Sequence, residues 1–122
     1  MNLITNLIAN HYRKDYMTLK GLSPDEPIVT NENGGQQSKC DYGFSCFPPK
    51  TMFRLAEIFG YGAKKYAKDN WRLIPSDQHL DHMMTHLYAY LDGDRQDDHL
   101  GHFICRAIMF TEMCIQEELR NK

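Results

Sequence analysis

The stretch Leu80–Met113, LDHMMTHLYAYLDGDRQDDHLGHFICRAIMFTEM, decides the fold. At roughly 100° per residue, Leu80, Met83, Met84, Leu87 and Leu91 share one face of a helix. His79, His82 and His86 form a second stripe beside it, spaced i, i+3, i+7. Beyond an acidic break, Asp92-Gly93-Asp94-Arg95-Gln96-Asp97-Asp98, a second helix follows. Leu100, Phe103, Ile104, Ala107 and Cys114 make its apolar face, and His99, His102 and Arg106 repeat the i, i+3, i+7 flank. The pair reads as an antiparallel helical hairpin, which sets His86 level with His102 and His82 level with Arg106. Gly93 suits the end of the first helix. Asp97 and Asp98 suit the first turn of the next, where a carboxylate meets free amides and the positive end of the helix dipole. Capping accounts for these acids. Two histidine stripes on facing helices, holding five of the chain's six histidines, point further, to a shared polar cleft.

Upstream, Pro75-Ser76-Asp77 caps the first hairpin helix. Residues 49–68 read as another helix, opened by Pro49 and carrying Met52, Leu55, Ala56, Phe59, Ala63 and Tyr66 as its buried stripe. Glu57 and Lys64 share a flank with Gly60 between them. That flank is either a solvated ion-pairing face or a cleft wall with one carboxylate and one ammonium. Trp71, the single tryptophan, stands in a connector, to plug the core or to stack on a base. Residues 2–20 read as an amphipathic helix bearing Leu3, Ile4, Leu7 and Ile8, with His11 packing on the same side. In between, Ile28-Val29-Thr30 and the turn signal Asn33-Gly34-Gly35 suggest a small β-hairpin in a long loop. Gly34, Gly35, Ser38 and Lys39 would suit a phosphate there, although the G-x-x-x-x-G-K-[ST] spacing is missing. The whole is one all-α domain over residues 1–122. It is a bundle of about four main helices: an N-terminal helix at 1–20, a loop at 21–48 and core helices at 49–122.

A net charge of −2 and a pI near 6.3 argue against a nucleic-acid partner bound through phosphate neutralisation. No apolar run is long enough to span a membrane, and the first residues lack the basic start of a signal peptide. The four cysteines include no C-x-x-C pair, which suits reduced thiols in a cytosolic protein. A zinc site from Cys40, Cys46 and two histidines is the other reading. In the cleft, aspartates could hold Mg²⁺ or Mn²⁺ while histidines and arginine steady a phosphate, or His/Asp ligation could hold a softer ion such as zinc. No H-E-x-x-H cage and no nucleophile elbow occurs.

Several motifs follow one another in order: Gly34-Gly35-x-x-Ser38-Lys39, Pro48-Pro49-Lys50, Gly62-Ala63-Lys64-Lys65-Tyr66, Asn70-Trp71-Arg72, His86 and Asp97-Asp98-His99-Leu100-x-His102. Together, over residues 34–114, they resemble the phage and prophage dATP/dGTP diphosphohydrolase N-terminal domain, similar in character to all-α MazG-like pyrophosphatases. The resemblance implies hydrolysis of a purine dNTP to dNMP and pyrophosphate with Mg²⁺ or Mn²⁺, in the cytoplasm of an infected or lysogenic host cell; the strongly apolar first helix and hairpin in so small a protein suggest a homo-oligomer. It implies Glu57, Asp98 and His102 as catalytic residues and Glu57, Asp97 and Asp98 as metal ligands. Nucleotide phosphates would be met by Lys39, Lys64, Lys65, Asn70 and Arg72, and from the hairpin by His82, His86, His99 and Arg106. MazG-like enzymes carry E-x-x-E on one helix and E-x-x-D on another. Here Arg54 and Gly60 flank Glu57 at those spacings, and Asp94-x-x-Asp97 crosses the turn. The alternative is therefore a non-catalytic sponge that sequesters a signalling nucleotide in the same cleft. A plain interaction module explains the helices but not the gathering of polar residues.

Overall fold

A computed structural model describes residues 24–121. The fold is all-α with one small β-hairpin: helices α1 (Pro49–Lys65), α2 (Ser76–Leu91) and α3 (His99–Arg120) follow strands β1 (Ile28–Thr30) and β2 (Gln36–Ser38). The N-terminal helix expected at residues 1–20, with His11, lies outside the described residues.

The strands pair antiparallel, Ile28 opposite Ser38 and Thr30 opposite Gln36. Asn31 builds the turn, its Oδ1 accepting from the amides of Asn33 (2.9 Å) and Gly35 (2.8 Å). Gly34 takes the left-handed φ of +83° that such a turn needs.

The hairpin of α2 and α3 forms because its turn satisfies both helix ends. At the end of α2 the Asp94 amide donates to the Ala89 carbonyl (3.0 Å) and the Gly93 amide to Tyr90 (3.0 Å), with Gly93 at φ +96°. This is the Schellman pattern, which only a residue tolerant of positive φ completes cheaply. Arg95 then folds back, donating to the Tyr90 carbonyl at 2.9 Å and lying 3.8 Å from the Tyr90 ring centre. Asp98 caps α3 by accepting from the Gly101 amide (3.3 Å). At the far end of the hairpin, buried Ser76 donates to Glu117 (3.5 Å). α3 is the central helix, packed along α2 on one side and against α1 on the other.

Three expectations are corrected. α1 ends at Lys65 and not at 68, because the chain turns through Tyr66 and Asp69 adopts a left-handed φ of 65° before a 3-10 turn at Asn70–Leu73. On α1 the inward residues are Leu55, Ile58, Phe59, Gly62 and Ala63, whereas Met52, Ala56 and Tyr66 are exposed. On α3 the deeply buried stripe is Gly101, Cys105, Phe110, Met113 and Cys114, while Leu100 is exposed. Contact with two helices at once turns α3 so that residues between the two expected faces sit deepest.

Among the described residues no helix is long and apolar enough to cross a membrane.

Candidate functional site

The second half of α1, the chain from Tyr66 to Trp71 and one side of α3 enclose a cleft of about 510 Å³. Phe59, Trp71, Ile74 and Met109 give it apolar walls; Lys65, Lys68, Asn70, His102 and Arg106 give it polar ones. Gly60 and Gly62 line it too, and a Cβ at either would meet nothing within 4 Å, so both hold the wall low. Trp71 is fixed edge-on by Phe59 (ring centres 6.2 Å apart) and by His79 (6.4 Å). It serves as core plug and cleft wall at once. Arg72 stacks on its ring at 4.3 Å and is tied to Asp69 (3.4 Å) and Glu112 (3.9 Å).

His79, wholly buried, positions the cleft's arginine. Its Nε2 donates to the Trp71 carbonyl (2.9 Å), and its Nδ1 accepts from Arg106 Nη1 (3.0 Å). A carbonyl can only accept and a guanidinium can only donate, so the ring is neutral with its proton on Nε2. Burial pushes the His79 imidazole below its usual range and the neighbouring guanidinium pushes the same way, against the Trp71 carbonyl. Arg106 was expected level with His82; it bonds instead to His79, one turn earlier on α2, and His82 is exposed.

Behind His102 lies a denser cluster. The His102 ring stacks on His86 with centres 5.1 Å apart, as the hairpin register required. His86 Nδ1 faces His99 Nδ1 at 3.0 Å, and His99 Nε2 donates to Asp94. The His99 bond holds the Asp94 carboxyl below the usual carboxylate range. Burial, with His102 close by, lowers the His86 imidazole. Asp97 lies 3.6 Å from His102 Nε2 and accepts from the Asp98 amide at 2.7 Å. One donor atom each from His86, Asp97 and His99 lies within 4.8 Å of the other two, so this trio could hold a metal ion.

Residues 31–122 match the family model for the dATP/dGTP diphosphohydrolase N-terminal domain. The chain belongs to that family. No curated protein and no solved structure matches it.

Within this diphosphohydrolase-family domain the expected residues divide into groups. Lys65, Asn70, His102 and Arg106 meet at the cleft, and His86, His99 and Asp97 gather behind it. Arg72 borders the cleft through Trp71. Lys64 is exposed near the end of α1 and Lys39 is exposed just past β2; neither lines the cleft. Glu57 and Asp98 are joined by Arg54, which in the sequence stands only as a departure from the paired-acid pattern. Arg54 donates through Nε to Asp98 and through Nη1 to Glu57 (3.4 Å). Burial works to raise the Asp98 carboxyl, but the Arg54 and Gly101 bonds outweigh it and hold the group below its usual range. Two of the three acids expected to take metal thus face a guanidinium, while Asp97 faces imidazoles. Cys40 and Cys46 are exposed and free, and neither joins the metal-capable trio. Arg54 and Asp94 are polar residues absent from the expected site, and His79, expected only as part of the histidine stripe, takes a positioning role. Arg54 had a signal, its i, i+3 spacing to Glu57. Asp94 had none, because only the turn geometry aims it at His99.

Proposed function

We propose that the protein takes a purine deoxynucleoside triphosphate into the cleft and hydrolyses dATP or dGTP to the monophosphate and pyrophosphate. The observation that carries this beyond family membership is the joint lining of one cleft by rings and cations: Trp71 and Phe59 offer apolar wall to a base, Lys65, Lys68 and Arg106 charge to a triphosphate. In the reaction, water attacks the α-phosphorus, the bond to the α,β-bridging oxygen breaks, and pyrophosphate leaves. His102 would take the water's proton, a role supported by its position at the cleft wall beside Asp97. Arg106 reaches the phosphates from a fixed base, since His79 holds its guanidinium. Glu57 and Asp98 would complete the catalytic set from beside the cleft, which neither lines, with Arg54 bonded to both. The divalent ion of the proposal, Mg²⁺ or Mn²⁺, would polarise phosphate oxygens, and Asp97 is the acid best placed for it. The setting we propose is the cytoplasm of an infected or lysogenic host, with the protein a homo-oligomer.

One observation favours a second reading. Arg54 already occupies both Glu57 and Asp98, which suits a protein that captures a nucleotide without cleaving it. A single assay separates the two. The hydrolase reading expects pyrophosphate release from dATP or dGTP with Mg²⁺ or Mn²⁺, lost in Glu57→Gln and with raised KM in Lys65→Ala. Tight binding with the nucleotide recovered intact supports the sponge. Neither turnover nor binding by the folded protein would sink both.

A further inference from the structure

We infer that His86, His99 and Asp97 form a binding site for a divalent transition-metal ion, with Asp94 orienting His99 from behind. The geometry of the donors carries this. His86 Nδ1 and His99 Nδ1 point at each other across 3.0 Å. At Zn–N bonds of 2.0–2.1 Å, two nitrogens on a tetrahedral ion stand about 3.3 Å apart, so the nitrogens need part by only about 0.3 Å while the rings tilt until both lone pairs meet at the ion. Asp94, an acceptor, places the His99 proton on Nε2 and leaves the Nδ1 lone pair facing inward. One proton then lies between the two Nδ1 atoms. An ion entering there takes both lone pairs, and the proton moves to His86 Nε2 or to solvent. Asp97 supplies the third donor within 4.8 Å, and its Oδ1 lies 3.6 Å from His102 Nε2.

The surroundings resemble a built ligand set more than a chance meeting of polar groups. A ligating histidine whose far nitrogen donates to a carboxylate is the usual outer arrangement of a metal site, and Asp94 provides it for His99. Three protein donors leave a coordination position open, as in catalytic sites and unlike closed structural ones. Two imidazoles and one carboxylate select Mn²⁺, Fe²⁺, Co²⁺ or Zn²⁺ over Mg²⁺, which prefers an all-oxygen shell. The site sits directly behind His102, which stacks on His86 and lines the cleft. An ion here would therefore lie one side chain from a phosphate in the cleft.

This deepens the hydrolase reading, which names Asp97 alone among the ion's ligands, and it is tested with ions alone, so failed turnover would not touch it. The folded protein is titrated separately with Zn²⁺, Co²⁺ and Mg²⁺, by calorimetry and, for Co²⁺, by visible absorption. One Zn²⁺ or Co²⁺ per chain should bind, the Co²⁺ form should show d–d bands of a low-symmetry site, and Mg²⁺ should give no comparable heat. Asp97→Asn and His99→Gln should each weaken binding at least roughly tenfold, and Asp94→Asn by roughly 10- to 100-fold. Asp97 is exposed, so Asp97→Asn keeps its fold, as circular dichroism would check, even if His99→Gln does not. The inference fails if Zn²⁺ and Co²⁺ do not bind, or if they bind as tightly to folded Asp97→Asn. It also fails if Mg²⁺ binds equally well and is lost in the same variant, since that would describe a carboxylate site.

Discussion

His79 has its protonation state written by its neighbours, and that makes its contribution to stability depend on pH. Its Nε2 must donate to Trp71 and its Nδ1 must accept from Arg106, so only the neutral ring fits. His86 is also held below its ordinary value, by burial first and by His102 next. As pH falls, the unfolded chain takes up protons at the ordinary imidazole value of about 6.5, before the folded chain does. The stabilisation is therefore complete above that value and drains away below it, by at most about 1.4 kcal/mol per pH unit for each histidine. Urea midpoints should be lower at about pH 5.5 than at about pH 7.5. His79→Leu should flatten that dependence. It should also cost about 2–4 kcal/mol at neutral pH, because the Trp71 carbonyl and the Arg106 guanidinium lose their partner. A wild-type midpoint indifferent to pH would overturn the assignment. Cys105 behaves in the opposite sense: burial, with Asp98 nearby, pushes its thiol up to about 11, so it stays protonated and unreactive at neutral pH.

At the scale of elements, the crossing of α1 and α3 depends on a missing side chain. A Cβ at Gly101 would stand 2.8 Å from Ile58 Cδ1 and would collide with the Asp98 carboxylate that caps the helix. Gly→Ala in an open helix gains about 1 kcal/mol. Gly101→Ala should instead lose about 1–3 kcal/mol by overpacking, read as a lower urea midpoint. Asp98→Asn keeps a cap acceptor and loses the charge opposite Arg54, while Asp98→Ala loses both. The alanine variant should be the worse by about 1 kcal/mol. Much at this scale could be read from the sequence. Periodicity found the helices, Gly93 and Asp98 marked the hairpin turn, and Asn33-Gly34-Gly35 marked the β-turn. The rotation of α3 could not be read, because Leu100 to Cys114 is apolar on most of its circumference and packing on two neighbours decides which residues sit deepest. Gly101 was the clue left unused: a glycine inside an otherwise unbroken helix marks a close approach.

For the whole molecule, the histidine cleft was legible as far as helical register reaches. That register brings His86 over His102, but it could not show that Asp94, in the turn, would point back at His99, nor that Arg54 would reach Asp98 from another helix. Both depend on tertiary placement. The surface raises one further expectation. On α1, Phe53 and Tyr61 stand two turns apart with Glu57 between them; Phe53 is 74% exposed and Tyr61, which also borders the cleft, 65%. Leu73, at the end of the 3-10 turn, is 83% exposed as well. Among the described residues few large apolar side chains are deeply buried, so association offers a substantial gain in burial. Sedimentation equilibrium should give a mass that is a multiple of 14.3 kDa. Phe53→Glu should shift it toward the single chain, because a carboxylate at the centre of a dry contact would be buried without a partner. The variant should keep its helical circular dichroism, since Phe53 faces away from α3. A wild-type protein that sediments as a single chain at its highest soluble concentration would remove the assembly. If association does use this face, a partner subunit would lie beside Glu57, and Phe53→Glu should alter nucleotide turnover as well as mass.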